Sequence, residues 1–181
     1  MADIRKYRWE TLTELILSNG YKQYAEVGVA WGKTMSPLLK AVQDPEFRAY
    51  GIDPFLVYAG YDHDCNATPQ AVKFNLEKSL DTVFKDSRAV FIRKFSKDAV
   101  LDFADGSLDI VFIDANHKYD FVKEDIALWY PKVRSGGILS GHDYSPRLFH
   151  GDVKKAVDEF CDVHGYIPTI CDDVLWYLYK K

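Results

Sequence analysis

The sequence predicts an α/β fold: a doubly wound, mostly parallel seven-stranded sheet with a C-terminal antiparallel hairpin. Strand-like and helix-like segments alternate along almost the whole chain. The run LDIVFIDA at 108–115 is almost uniformly apolar and β-branched, as expected of a strand buried on both faces. Polar, glycine or titratable residues also follow the apolar runs directly. Together these patterns indicate parallel strands joined by right-handed helical crossovers.

The elements of the first half are predicted from where apolar runs begin and stop. A short helix is expected at about 8–19, before the first strand. Strand 49–55 is stopped by Pro54, and the apolar residues of helix 69–84 recur with helical spacing. The segments predicted in this half are strands at 23–29, 49–55 and 89–95 and helices at 34–42 and 69–84.

In the second half of the chain, strands and helices continue to alternate until two successive strands end the sequence. Ser96 is the expected N-cap of a helix at 96–103, and Pro131 must end or kink a helix predicted at 119–133. Strands are expected at 108–115 and 136–144, followed by an amphipathic helix at 152–165 that Gly165 closes. Two strand-like runs then flank positions 172–173, which predicts a two-residue turn and an antiparallel hairpin.

Composition and charge indicate one ordinary globular domain, which we assign to residues 1–181. The 181 residues are 48% hydrophobic and 28% charged. No apolar run approaches the ~20 residues that cross a bilayer, and the N-terminal segment shows no signal-peptide core. Cys65, Cys161 and Cys171 are an odd number without close spacing, so neither a disulfide framework nor a zinc site is indicated. We expect a cytoplasmic protein.

The net charge of −4 bears on the partners. It disfavours nucleic acid as the main partner, and no membrane partner is indicated. A small molecule is the expected partner, and a homo-oligomer is left open. In open parallel sheets, ligands bind at the carboxyl ends of the strands. The residues predicted at those ends are Glu26 to Gly32, Asp53, Ser96, Asp114 to His117, and His142 to Tyr144.

Gly28 and Gly32 open a turn between a strand and a helix, where close backbone approach to a ligand is expected. Ala30 stands where a dinucleotide fingerprint has its second glycine, which disfavours a nicotinamide or flavin dinucleotide. Asp53 ends the second strand about 20 residues later, where an acidic residue meets two ribose hydroxyls. The alternatives are a turn glycine, a packing glycine and a solvated Asp-Pro turn. We favour a nucleoside ligand without a cradled pyrophosphate.

Three stretches then resemble a known family: YAEVGVAWGKT, GIDPF and FIDANHKYDFVKEDIALWYPKVRSGGILSGHDY. In this order they are similar to class I S-adenosylmethionine-dependent methyltransferases, and most closely to the catechol-type and metal-assisted O-methyltransferases. The resemblance covers about residues 24–160. It implies a Rossmann-like methyltransferase fold and S-adenosylmethionine as the cofactor.

The resemblance also implies roles for individual residues. Glu26, Gly28 and Gly32 would form the cofactor loop, together with Ala30 and Trp31, and Thr34 would lie near the methionine carboxylate. Trp31 would pack on the cofactor or form an interface. Asp53 would hold the ribose, Ser96 and Lys97 would lie at the adenine, and Asp114 would lie near the methionine moiety.

A divalent metal, Mg²⁺ or Mn²⁺, is a further expected cofactor, with Asp114, His142 and Asp143 as its ligands. Adjacent parallel strands lie ~4.8 Å apart, so carboxylates at their ends can converge on one ion. The resembled family has an acidic or amide pair where this chain has His142–Asp143. A histidine favours softer ions than Mg²⁺, or it points elsewhere. The alternative is that Asp114 only hydrogen-bonds cofactor and backbone groups.

His117 is the predicted general base, because an unperturbed imidazole is mostly neutral at pH 7. Its alternatives are a third metal ligand or a helix-entry residue bonded to backbone. Asn116 aligns with an aspartate base of some metal-assisted relatives, but an amide cannot take that role. The loops at 55–69, with its DHDC stretch, and 145–152, with Phe149, are expected to act as lids. The basic residues near both ends of the chain are expected to be solvated.

The predicted function is methyl transfer from S-adenosylmethionine to a hydroxyl oxygen of a small molecule, with or without metal assistance. Fold-level resemblance does not fix the acceptor. The alternatives are another acceptor atom, a hydroxylase-like relative, and a noncatalytic module that binds a nucleoside.

Overall fold

The structure is a computed structural model that describes residues 6–60 and 67–181. Seven strands form one sheet in the order β3-β2-β1-β4-β5-β7-β6. Strands β1 to β5 are parallel, and β7 is antiparallel to both β5 and β6. The predicted fold class is thereby confirmed. The strands are β1 Gln23–Val27, β2 Arg48–Ile52, β3 Ala89–Ile92, β4 Leu108–Ile113, β5 Val133–Gly141, β6 Thr169–Ile170 and β7 Trp176–Tyr179.

The described part of the chain has six α-helices, of which the first precedes β1 and the other five lie between strands. Glycines in the left-handed region end the first and the last of them, Gly20 with φ 66° and Gly165 with φ 67°. The third helix begins with Pro69 and is capped by the Thr68 hydroxyl, which accepts from the Ala71 N–H at 3.1 Å. The helices are α1 Arg8–Asn19, α2 Met35–Ala41, α3 Pro69–Thr82, α4 Ser96–Ala99, α5 Tyr119–Trp129 and α6 Asp152–His164.

The core lies on both faces of the sheet, which is why β4 is apolar except at Asp109. Val111 and Ile113 pack on one face in a cluster with Trp129 of α5. Ile110 and Phe112 pack on the other face, in a cluster with residues of α1 and α2. Alternate β4 side chains therefore enter two separate cores. Each fully buried large apolar side chain contributes about 1.5–3 kcal/mol.

Several local expectations are corrected. The N-cap of α4 is Phe95, and Ser96 is its first helical residue. The Ser96 hydroxyl donates to Asp125 and accepts from Trp129 Nε1, so it caps no helix. The expected helix at 96–103 is a four-residue helix followed by a 3-10 turn at Val100–Asp102.

The C-terminal hairpin exists, but its connection differs from the expected two-residue turn. β6 and β7 are joined through a 3-10 turn at Asp172–Val174. The helix α5 ends at Trp129, before Pro131, as the proline requires. Within the described residues, no helix combines the length and the apolar character that a membrane crossing requires.

Candidate active site

A cavity of about 500 Å³ opens at the carboxyl ends of β1, β2, β4 and β5. It lies beside β1, where the chain connections turn from one side of the sheet to the other. This is the position at which ligands bind in doubly wound sheets. In the described part of the chain, every residue predicted for the site lines this cavity except Gly32 and Tyr144. The residues predicted at separate strand ends therefore come together in one cavity.

The glycine loop between β1 and α2 owes its glycines to the packing of the protein itself. A Cβ on Gly28, whose φ is 94°, would lie 2.2 Å from the Asp114 carbonyl oxygen. A Cβ on Gly32, with φ 82°, would lie 2.4 Å from Val83 Cγ2. The alternative of a packing glycine therefore applies at Gly32, and the backbone of Asp114 leaves no space for a side chain at Gly28. Gly28 still lines the cavity, whereas Gly32 packs against Val83.

Asp53 fastens this loop to the end of β2. Its Oδ2 accepts from the Ala30 N–H at 2.9 Å, and its Oδ1 accepts from the Phe55 N–H at 2.8 Å. Ala30 is held at φ 46°, in the left-handed region. Burial raises the pKa of Asp53, and the backbone N–H groups oppose that rise. Each carboxylate oxygen has a second acceptor position, so the predicted contact with ribose hydroxyls is compatible with this role.

Glu26, at the end of β1, is a buried carboxyl group in the cavity wall. The Tyr24 hydroxyl donates to its Oε2 at 2.6 Å. Burial raises the pKa of Glu26 to about 8, although the Tyr24 hydrogen bond opposes the rise. The group is therefore largely protonated at pH 7. A cation bound beside it would favour the carboxylate.

The cavity wall near Ser96 also contains Asp125, which the sequence analysis did not single out. Asp125 is 5% exposed, lines the cavity and accepts the Ser96 hydroxyl hydrogen bond. Burial raises the pKa of Asp125 to about 7. The burial of Asp125 could have been predicted from its position in the sequence. Val122, Ile126 and Trp129 place one face of α5 in the core, and position 125 lies on that face.

Asp114, His117 and Asp143 form the acidic centre of the cavity. His117 Nε2 lies 2.9 Å from Asp143 Oδ2 and 3.6 Å from Asp114 Oδ1. One ligand atom from each residue lies within 4.8 Å of the others. One nitrogen and two carboxylate oxygens suit a divalent ion. The grouping includes His117, which the sequence analysis had kept as an alternative third ligand.

His142 stands beside this group. Its Nδ1 is 3.0 Å from Asp143 Oδ1 and 3.9 Å from Asp114 Oδ1. Its Nε2 is 3.4 Å from Arg8 Nη1. The sequence analysis expected Asp114, His142 and Asp143 as the metal ligands. The group whose ligand atoms lie within 4.8 Å of one another instead contains His117 together with the two aspartates.

The expectation that His117 is mostly neutral at pH 7 is wrong for this arrangement. Burial lowers the pKa of its imidazole, but hydrogen bonds and charges from Asp114 and Asp143 outweigh burial and raise the pKa to about 9. The same contacts hold the pKa of Asp143 well below its usual range, against the effect of burial. A protonated imidazole accepts no proton, so the roles of base and of metal ligand both require the ring to lose its proton first.

Arg8 is the clearest residue that the sequence analysis missed. Its side chain is 15% exposed and lines the cavity. The expectation that the basic residues at the two ends of the chain are solvated is wrong at Lys180, because its Nζ donates to the Val133 carbonyl at 2.7 Å. No spacing rule places Arg8 at the site, since α1 reaches the cavity only through tertiary packing.

Of the two loops expected to act as lids, one contributes a direct contact to the cluster. The Phe149 ring stacks on the His117 ring, with centroids 4.0 Å apart and planes 11° apart. Tyr58 of the other loop lines the cavity. Its neighbours in the DHDC stretch lie outside the described residues, within 61–66. Trp31 lines the cavity and is 40% exposed, which leaves both of its predicted roles open.

The comparisons with known proteins agree with this geometry. A family model described as a methyltransferase domain matches residues 25–144. The uncharacterized protein R132 of Acanthamoeba polyphaga mimivirus is 29% identical over 140 residues, which are 75% of this chain and 58% of that protein. This chain therefore spans under two thirds of the length of that relative.

Solved structures share the fold at low sequence identity. The O-methyltransferase NovP is 22% identical, with a TM-score of 0.70 over 96% of this chain and 79% of NovP. The O-methyltransferase from Bacillus cereus in complex with SAH is 12% identical, with a TM-score of 0.66 over 98% of this chain and 83% of its own. Spermidine synthase from Thermotoga maritima is 16% identical, with a TM-score of 0.57 over 91% of this chain and 55% of the synthase chain. The fold alone thus does not fix the group that is transferred. The family match covers most of the chain, and the protein belongs to the family of methyltransferase domains.

Proposed function

We propose that this protein transfers a methyl group from S-adenosylmethionine to a hydroxyl oxygen of a small molecule, with the assistance of a divalent metal ion, Mg²⁺ or Mn²⁺. One observation carries the proposal. The loop after β1, Asp53 after β2, and the cluster Asp114–His117–Asp143 all face a single cavity. A cofactor pocket and an acid–base cluster in the same cavity are the parts that such a transfer requires.

The cavity suits the proposed cofactor in size and charge. Its volume of about 500 Å³ is in the range of ordinary small-molecule sites. S-adenosylmethionine carries a sulfonium and an ammonium group, and the carboxyl groups of Glu26, Asp53 and Asp114 line the wall. The cofactor has no pyrophosphate, which agrees with Ala30 in place of a phosphate-cradling glycine. The donor set therefore fits.

The reaction is a direct displacement at the methyl carbon. The acceptor oxygen forms a bond to that carbon while the carbon–sulfur bond breaks, and the electron pair of that bond stays on sulfur. When His117 acts as the base, its ring first releases its own proton to solvent and then takes the hydroxyl proton. Because the sulfonium is already an activated donor, the protein chiefly aligns the two reactants and removes the proton.

The cluster also fits a divalent ion, which Asp114, His117 and Asp143 would hold, with His142 beside them. A bound ion of this kind lowers the pKa of a coordinated hydroxyl. His117 would then be one of the ligands of the ion. If the ion were held without His117, the imidazole would be the base instead. The proposal includes both roles of His117, ligand and base. The dependence of turnover on added metal distinguishes between them.

The test is a binding measurement followed by a transfer assay. Calorimetry with S-adenosylmethionine, and separately with NADH, establishes the cofactor. Release of S-adenosylhomocysteine is then followed with panels of hydroxylated and of amine acceptors, with EDTA, Mg²⁺ or Mn²⁺ present. We expect micromolar binding of S-adenosylmethionine, no binding of NADH, and turnover with hydroxylated acceptors that EDTA abolishes.

Other outcomes favour the alternatives. Turnover with amines alone, independent of metal, would indicate a nitrogen-directed enzyme. Cofactor binding without turnover on any acceptor would favour a noncatalytic module or a hydroxylase-like relative. No binding of S-adenosylmethionine under any condition would refute the proposal.

A further inference from the structure

The guanidinium of Arg8 is built into the cavity wall. Arg8 is the first residue of α1, and Leu12 and Ile16 of the same helix are fully buried in the core. Its Nε donates to Thr34 Oγ1 at 2.7 Å, and its Nη2 lies 3.4 Å from Asp114 Oδ2. The planar group is thus held between the loop after β1 and the end of β4 by a helix that is anchored in the core.

The charges around the cavity make Arg8 distinctive. The cationic side chains that line the cavity in the described part of the chain are Arg8, Lys33 and Lys97, and the two lysines are exposed. The remaining charged side chains of the wall are acids and histidines. Protonated His117 also lies in the wall, but Asp114 and Asp143 already neutralise it. Within the described part of the wall, an anionic group of a ligand therefore meets a desolvated arginine or lysine only at Arg8. Anywhere deeper it faces carboxyl groups.

The proposed cofactor brings one anionic group, the carboxylate of its methionine moiety. We infer that Arg8 is a cofactor-binding residue that holds this carboxylate, while Thr34 fixes the guanidinium in position; the inference rests on the proposed function. A guanidinium fork matches a carboxylate in two parallel hydrogen bonds. Its five N–H donors allow it to make two bonds to the ligand and keep its contacts with Thr34, Asp114 and His142.

This role also assigns a function to α1. The helix delivers one side chain to the cofactor and otherwise packs on the core, so cofactor binding and the docking of α1 are linked. Loss of the fork should therefore weaken binding by about 10–100-fold in all.

The test uses decarboxylated S-adenosylmethionine, which keeps the sulfonium and the ammonium but lacks the carboxylate. Dissociation constants of both ligands are measured by calorimetry for the wild type, Arg8→Ala, Arg8→Lys and Lys40→Ala. Lys40 is an exposed cation outside the cavity wall and controls for net charge. We expect Arg8→Ala to weaken binding of S-adenosylmethionine by about 10–100-fold and of the decarboxylated ligand by less than threefold. The affinity of Arg8→Lys for S-adenosylmethionine should lie between those of the wild type and Arg8→Ala, because lysine keeps the positive charge and lacks the guanidinium fork.

Other results overturn the inference. If Arg8→Ala weakens both ligands equally, Arg8 acts through Asp114 and not on the carboxylate. If the wild type binds both ligands equally, the carboxylate has no partner and only this inference fails. If the wild type binds neither, the proposed function fails as well. Thermal melting of each variant identifies loss of folding, and Arg8→Lys supplies the comparison if Arg8→Ala does not fold.

Discussion

The Ala30 N–H donates a 2.9 Å hydrogen bond to Asp53 Oδ2, which joins the loop after the first strand to the end of the second. The residue that was predicted to bind ribose therefore also shapes the loop that was predicted to surround the cofactor. Removing it should affect both. The two effects can be separated, because an amide keeps an acceptor oxygen and loses the charge.

Asp53→Ala should weaken S-adenosylmethionine binding by about 10–100-fold, since it removes hydrogen bonds to a charged group and leaves backbone N–H groups without their acceptor. Asp53→Asn keeps an acceptor for one of the two backbone N–H groups and sets its NH2 against the other, so it should melt between the wild type and Asp53→Ala and bind with intermediate affinity. Calorimetry and thermal melting measure the two effects. Wild-type affinity in a folded Asp53→Ala variant would contradict the role of Asp53 at the ribose.

His117→Ala should lower kcat by about 10²–10⁴-fold, the range for loss of a general acid–base group, while the dissociation constant for S-adenosylmethionine changes by less than threefold. His164→Ala, at an exposed histidine of α6, is the control. Steady-state kinetics with the identified acceptor give kcat, and calorimetry gives the affinity. Unchanged turnover in His117→Ala would remove His117 from the reaction.

Asp143→Asn should weaken Mn²⁺ binding by about 10–100-fold if Asp114, His117 and Asp143 hold the ion. The substitution keeps the size of the side chain and removes the negative charge between His117 and His142. Electron paramagnetic resonance of Mn²⁺ titrated into each protein counts the bound ion. Asp152→Asn provides a control at an acidic residue outside the cavity wall. Equal Mn²⁺ binding in wild type and Asp143→Asn would place the ion elsewhere.

Asp125 should make the protein less stable as pH rises. Burial raises its folded-state pKa to about 7 from an ordinary value of 3.8. Between these values the folded chain keeps a proton that the unfolded chain has lost, so the stabilisation is complete below pH ~4 and is lost as pH rises through ~7. Asp125→Asn should remove this dependence and, near pH 8, raise the free energy of unfolding relative to wild type by on the order of 2–4 kcal/mol.

Urea unfolding at pH 5 and pH 8 measures this difference. Asp120→Asn, at an exposed aspartate of the same helix, controls for removal of a negative charge from α5. A parallel pH dependence in the wild type and Asp125→Asn would show that Asp125 is charged in the folded protein.

The sheet and most of the site were predictable because both depend on short-range patterns. A strand buried on both faces is almost uniformly apolar, as at 108–115, and the residues that follow such strands meet at one edge. This is why residues as far apart as Asp53 and Asp143 could be assigned to one cavity from their positions alone.

The remainder depended on tertiary packing. Arg8 reaches the cavity because α1 docks beside the first strand, and no local pattern records that docking. The charge on His117 depends on the orientation of two carboxylates, which a reference pKa cannot supply. Ser96 resembled a helix cap in the sequence, but its hydroxyl is bonded to Asp125 and Trp129.

The close contact of Gly28 with the backbone of Asp114 links two parts of the site that are far apart in the sequence. With no space for even a methyl group between them, the loop after β1 and the end of β4 form one rigid unit. Loop exchange with a relative that brings any other residue to position 28 would displace Asp114. An engineer who aims to alter cofactor preference must therefore transplant both segments together.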